Sequence, residues 1–144
     1  MLEADVALQL RQVHWRLSQM MREKVGEYGL TFRLLHITIL IAKNPNISQK
    51  ELAERMGLTP GAVSMSVKKL IKLGMLKQIP LEEDLRYNRL VVTQRAEAIM
   101  KDYEEDVISR YKELFTGFSE HELQVFSSAL VKVNANLDRM ARNN

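Results

Sequence analysis

The run SQKELAERMGLTPGAVSMSVKKLIKLG, from Ser48 to Gly74, decides the fold. Ser48 followed three residues later by Glu51 is a capping box: the hydroxyl can accept from the Glu51 backbone N–H, and the carboxylate can reach back. The short helix that begins there turns Leu52, Ala53 and Met56 inward and stops at Gly57. Only Leu58 then separates it from Thr59-Pro60, an N-cap followed by proline at the first helical position. The next helix puts Val63, Val67, Leu70 and Ile71 on one face and stops at Gly74. Two short helices joined by a tight, glycine-containing turn predict a helix-turn-helix.

On the C-terminal side, residues 75–81 alternate weakly and read as a strand. Arg89 to Thr93 reads as a second strand rich in β-branched residues, with the polar stretch Glu82 to Asn88 between them. A hairpin directly after a helix-turn-helix is a wing. On the N-terminal side, Thr31 starts a helix with Leu34, Ile37, Leu40 and Ile41 facing inward, ended by Asn44-Pro45-Asn46. Ahead of it, Val6, Leu10, Val13, Leu17 and Met20 form a narrow apolar seam on a helix that stops between Gly26 and Gly29. After the wing, a helix is expected from Thr93 to about Thr116, interrupted by Gly117. Ser119 and Glu122 make a second capping box, followed by a seam through Leu123, Phe126, Leu130, Val133, Leu137 and Met140. The two terminal seams repeat like heptads, which suits helices that pack on each other and on a symmetry mate. Ordinary packing against the chain's own core would give the same spacing. The expected architecture is mainly α, a winged helix-turn-helix of six helices and a small β-wing. Residues 1–30 and 94–144 serve as dimerisation helices and 31–93 as the DNA-binding lobe, in one intertwined domain.

Hydrophobic residues are 46% and charged residues 27% of the 144 positions, a composition that folds rather than stays disordered. The longest uncharged apolar stretch, Leu34 to Ala42, falls well short of the roughly 20 residues a membrane helix needs. The acidic start, Met1 to Asp5, lacks the pattern of a signal peptide, so a cytoplasmic protein is expected. There is no cysteine, hence no disulfide, thiolate metal site or cysteine switch. The net charge of +3 is concentrated: residues 48–93 carry eight Lys/Arg against five acids, and the remainder balances at 13 and 13. Such segregation is what a polyanion-binding surface requires, although a solvated mixed-charge face also produces it.

A helix-turn-helix sets its second helix in the major groove, with the first turns meeting base edges. The candidate DNA contacts there are Thr59, Gly61, Ala62, Ser64 and Met65. Thr59 and Ser64 can hydrogen-bond bases or phosphates, while Ala62 and Met65 can touch thymine methyls. Gly61 would let the backbone come close. No arginine in the first two turns reads guanine, so direct readout should be modest and lean on A/T pairs. Lys68 and Lys69 are better placed for phosphates. Ser48 and Gln49 open the preceding helix, where a phosphate could sit, but for Ser48 plain capping is the stronger explanation. Arg86 near the wing tip could enter the minor groove, and Asp84 could brace the wing by pairing with an arginine. Arg89 could contact DNA or simply lie on the strand's exposed face.

The ordered set Tyr28-Gly29-Leu30-Thr31, Ser48-Gln49-x-Glu51-Leu52-Ala53, Leu58-Thr59-Pro60-x-x-Val63-Ser64, Leu70-x-x-x-Gly74-Met75-Leu76, Asp84-x-Arg86 and Leu90-x-Val92-Thr93 resembles the MarR family of multiple-antibiotic-resistance-type regulators. The resemblance covers nearly the whole chain. It implies terminal helices that form a homodimer, binding to a pseudo-palindromic operator in double-stranded DNA and, usually, release by a small ligand. Asp84 and Arg86 match the family's wing motif. Met65 stands where members often carry arginine or another polar residue, and Ala96 replaces a common glycine. The family's cysteine-based peroxide sensing is excluded by composition, and zinc sensing is not suggested by the scattered His14, His36 and His121.

An effector pocket is expected between the dimerisation helices and the DNA-binding lobe, with Arg11, His14, Trp15 and His36 as candidates for an aromatic carboxylate or phenol. Core or interface packing of Trp15 and His36 is the competing explanation. No cofactor is indicated, and no Ser/His/Asp set or phosphate loop suggests an enzyme. The sequence reads as a ligand-responsive regulator, most simply a repressor. The alternative is a protein-interaction adaptor that uses the winged helix without specific DNA binding.

Overall fold

The computed structural model describes residues 1–81 and 84–144, with the side chains of 81–88 outside the description. In chain order the elements are α1 Leu2–Glu27, α2 Phe32–Lys43, α3 Gln49–Met56, α4 Pro60–Lys72, β1 Leu76–Leu81, β2 Asp84–Val92, α5 Gln94–Leu114 and α6 Glu120–Arg142. This is a winged helix-turn-helix, mainly α, with one two-stranded antiparallel sheet.

The helix-turn-helix forms where its local chemistry dictates. Ser48 Oγ accepts from the Glu51 amide at 3.1 Å and starts α3. The second half of that capping box takes another form: the Ser48 hydroxyl itself donates to the Glu51 carboxylate at 3.4 Å. Gly57 closes α3 in the left-handed region at φ 64°, and the Leu58 amide returns to the Ala53 carbonyl at 2.9 Å. Thr59 then caps α4 through the Ala62 amide at 3.1 Å. The turn thus ends one helix and starts the next with the Gly57, Leu58, Ala62 and Val63 amides all hydrogen-bonded.

One core holds this lobe together. Leu34, Leu35, Ile37 and Ile41 of α2 pack with Leu52 of α3, with Val63, Val67 and Leu70 of α4, and with Met75, Leu76 and Leu90 of the hairpin. Thr38, fully buried among them, donates its hydroxyl to the Leu34 carbonyl at 2.8 Å, so no polar atom is stranded. The chain forms two compact units, Met1–Val107 and Ile108–Asn144. Val25 of α1 and Ala96 of α5 join the core of the first. In the second, the Phe115 ring meets Phe118 edge-on at 5.7 Å and Phe126 at 6.5 Å. Its α6 begins at a complete capping box: Ser119 N donates to Glu122 Oε1 at 3.0 Å and Glu122 N to Ser119 Oγ at 3.1 Å. Those bonds hold the Glu122 carboxyl below its ordinary range.

The wing corrects one expectation. Asp84 to Asn88, expected in the polar connection, belong to β2. The strand extends because its backbone pairs with β1, in a ladder running from Leu76 opposite Val92 to Pro80 opposite Asn88. The register slips between Pro80 and Leu81, so that Leu81 faces Asp84. Pro80 offers no N–H to the ladder, which is a physical reason for the break there.

Thr93 joins the wing to α5. Its hydroxyl donates to the Gly74 carbonyl at 2.6 Å and accepts from the Ala96 amide at 3.1 Å. The same side chain therefore ties the end of the α4 turn to the start of α5.

Candidate nucleic-acid interface

α4 has two different sides. Val63, Ser66, Val67 and Leu70 are buried, whereas Gly61, Met65, Lys68, Lys69 and Lys72 are exposed. Positions 61, 65, 68 and 72 follow one another at helical spacing and form a single outward stripe. Met65 is 74% exposed and stands in the middle of this stripe. The helix holds three lysines and no acid. Thr59 is exposed at its start, and Ala62 and Ser64 are half-buried beside the stripe.

Gly61 is informative. A glycine inside a helix costs about 1 kcal/mol relative to alanine. A Cβ built there would meet nothing within 4 Å, and its φ is not among the positive values. Among the described residues nothing requires glycine at this position.

Ser48 and Gln49 are exposed at the start of α3, but the Ser48 hydroxyl is engaged with Glu51 both as acceptor and as donor. The adjacent carboxylate also makes that helix start less hospitable to a phosphate. Arg89 is exposed on β2. The minor-groove role of Arg86 and the bracing role of Asp84 fall on side chains outside the described residues.

Arg11, His14 and Trp15 line a concave surface with Leu8, Gln9 and Gln12, all from one face of α1. His36 stands on α2 and is not part of that lining. Trp15 is 63% exposed and His36 is exposed, so neither fills the core of the single chain. Within one subunit these four residues do not make one pocket. Among the described residues no group of three or more His, Asp or Glu is placed to hold a metal ion, and no single helix is long and apolar enough to cross a membrane.

The structure adds a cluster whose members the sequence did not bring together. Tyr28 and Lys24, near the end of α1, both meet Asp102 of α5: the tyrosine hydroxyl donates to Asp102 Oδ2, and Lys24 Nζ lies 3.4 Å from the same oxygen. Lys24 also pairs with Glu27 at 3.4 Å and sits 5.3 Å from the centre of the Tyr28 ring. Burial, and then the Asp102 carboxylate, pushes the Tyr28 hydroxyl up to about 12. The Tyr28 and Lys24 donors hold Asp102 below its usual range. Desolvation opposes the charge on Lys24, yet Asp102 and Glu27 raise its pKa. The cluster fastens the end of α1 to α5 across 74 residues of chain, a separation at which no local pattern signals a contact. Arg33 at the start of α2 shares a concavity with Met65 and Lys69 of α4.

An exposed cationic helix held over a buried core, followed by a hairpin, defines a winged-helix protein of the kind that regulates transcription. The MarR family model matches residues 28–86. The transcriptional regulator AdcR of Streptococcus pneumoniae is 30% identical over 112 residues, covering 74% of this chain and 76% of AdcR. The chain belongs to the MarR family. The same fold is found in S. pneumoniae FabT in complex with DNA, at a TM-score of 0.77 and 19% identity over 96% of this chain and 99% of that one. It is found again in the S. aureus MepR-DNA complex, at 0.78 and 16% identity over 91% and 98%.

Proposed function

We propose that this chain is a dimeric, sequence-specific DNA-binding regulator that acts as a repressor at a pseudo-palindromic operator. The observation that carries this reading is the outward stripe of α4, where Gly61, Met65, Lys68 and Lys72 face away from a fully formed core. An α-helix fits the major groove. The open glycine would admit DNA close to the first turn, Met65 and Ala62 would meet thymine methyls, and the lysines would neutralise phosphates. That two relatives of the same fold were solved on DNA supports the same use of the surface here.

The terminal helices support the dimer. No residue of α6 is buried, and Phe126, Val133, Leu137 and Met140 of its seam are exposed, as are Val6 and Val13 of α1. Apolar surface on this scale is normally covered by a partner. A small aromatic carboxylate or phenol could act as effector at Arg11, His14 and Trp15 only if the partner subunit completed that open surface. It would then act through different affinities for the DNA-competent and incompetent shapes.

Selection of bound fragments from the source genome by the purified protein tests the proposal. Recovered sites are expected to contain two inverted half-sites about 10–10.5 base pairs apart, centre to centre, on one face of the duplex. Fragments without shared sequence or without a constant spacing would contradict it.

A further inference from the structure

We propose that Arg33, standing over the side of α4, anchors a backbone phosphate of the bound duplex, and that Arg22 continues the same phosphate track along the end of α1. The inference rests on α4 lying in the major groove. Beyond the outward stripe, α4 has a lateral stripe, Ala62, Ser66 and Lys69, again at helical spacing. Arg33 and Thr31 of the α2 start face that stripe across a concavity that also touches Met65. A second concavity shares Thr31 and Arg33 and runs to Arg22, over Phe32 and the apolar floor of Val25 and Leu30. Lys69, Arg33 and Arg22 thus follow one another over three helices, and no acidic residue lines either concavity. Among the described residues neither arginine makes an ion pair.

The geometry of DNA makes this placement meaningful. A helix about 10–12 Å across nearly fills a major groove about 12 Å wide, so the strands' phosphates run along the helix's flanks rather than under its tip. Cations on a lateral stripe and on the element beside it therefore meet backbone, not bases. Arginine suits this role because its guanidinium fork engages two phosphate oxygens and stays charged. The openness of the surface favours a continuous polyanion over a small free anion, which would need enclosure to bind.

Equilibrium binding of the full-length dimer to a fluorescent duplex, as a function of salt, tests the inference for Arg33→Ala and Arg33→Lys. One side-chain contact is lost from each of two subunits in Arg33→Ala. Affinity should then fall about tenfold near physiological salt, and the log–log salt dependence should flatten by about 2. The loss should be equal on a selected site and on unrelated duplex, because a phosphate carries no sequence. Arg33→Lys should restore most of the slope, and the melting temperature of both variants should stay at the parent value. Adding Arg22→Ala should flatten the slope further. Unchanged affinity and slope in Arg33→Ala, beside a clear loss in Lys68→Ala/Lys69→Ala, would overturn the inference and leave the α4 reading standing. A loss confined to the selected site would overturn it by indicating a base contact. No change in any of these variants would remove the α4 reading as well.

Discussion

Lys68→Ala combined with Lys69→Ala is expected to weaken duplex binding by about 10²–10³-fold near physiological salt and to flatten the log–log salt dependence by about 4, since two cations are lost from each subunit of the proposed dimer. Both lysines are exposed on α4, and among the described residues neither takes part in an ion pair. Their removal therefore leaves the core untouched. Of the two, only Lys69 lies in the last turn of α4, where it complements the C-terminal dipole by a few tenths of a kcal/mol, roughly 0.3 at the surface. Melting should shift little while affinity collapses. A protein that used this face to hold another protein would keep its duplex binding, weak or absent as it was, through the same double substitution. Salt titration of parent and variant separates the two cases.

Leu70→Ala is expected to cost about 2–5 kcal/mol of stability. Leu70 is the immediate neighbour of Lys69 in sequence yet 0% exposed, packed with residues of α2, α3 and the hairpin. Truncation loses the transfer energy of a buried side chain and leaves a cavity that the surrounding helices cannot fully close. For a domain whose whole stability is typically about 5–15 kcal/mol, such a loss depletes the folded population at 37 °C and DNA binding with it. Urea unfolding at fixed protein concentration, chosen because the proposed dimer would contribute to the midpoint, should show a lower midpoint with an unchanged slope. A loss below about 1 kcal/mol would mean that the inner face of α4 is not packed as described. The contrast between positions 69 and 70 is the core of the account, since one residue reports on binding and the next on folding.

What could be read from sequence was local. Ser48, Gly57, Thr59-Pro60, Gly74 and Ser119 each carry their own physical instruction, a cap or a left-handed stop, and α3, α4 and α6 begin or end at them. The inward residues of α2 and α4 followed from helical period. The wing was harder. Asp84 to Asn88 are mostly polar and sit opposite a proline-bearing strand, so nothing in their own pattern marks the β2 that pairs with β1 at both ends of this stretch. Charge counting had a similar blind spot. Residues outside 48–93 balance at 13 and 13, but residues 1–47 alone hold six basic and four acidic groups. Arg22 and Arg33 are among those six, and only folding carries Arg33 to the side of α4 and sets Arg22 in a concavity next to it. The Lys24–Tyr28–Asp102 cluster was invisible for the same reason. Arg11, His14, Trp15 and His36 show the converse: residue types that suit a ligand, on two helices that do not bring them into one cavity within a subunit.

The chain's lack of cysteine makes one measurement especially direct. A single Met65→Cys substitution, conjugated to an iron–EDTA cleavage reagent, puts a reporter on the outward stripe of α4 and nowhere else. On a selected duplex the proposed dimer should cut in two patches about 10–10.5 base pairs apart, one per half-site. Uncut or uniformly cut DNA, with the labelled protein demonstrably bound, would show that α4 does not enter the groove.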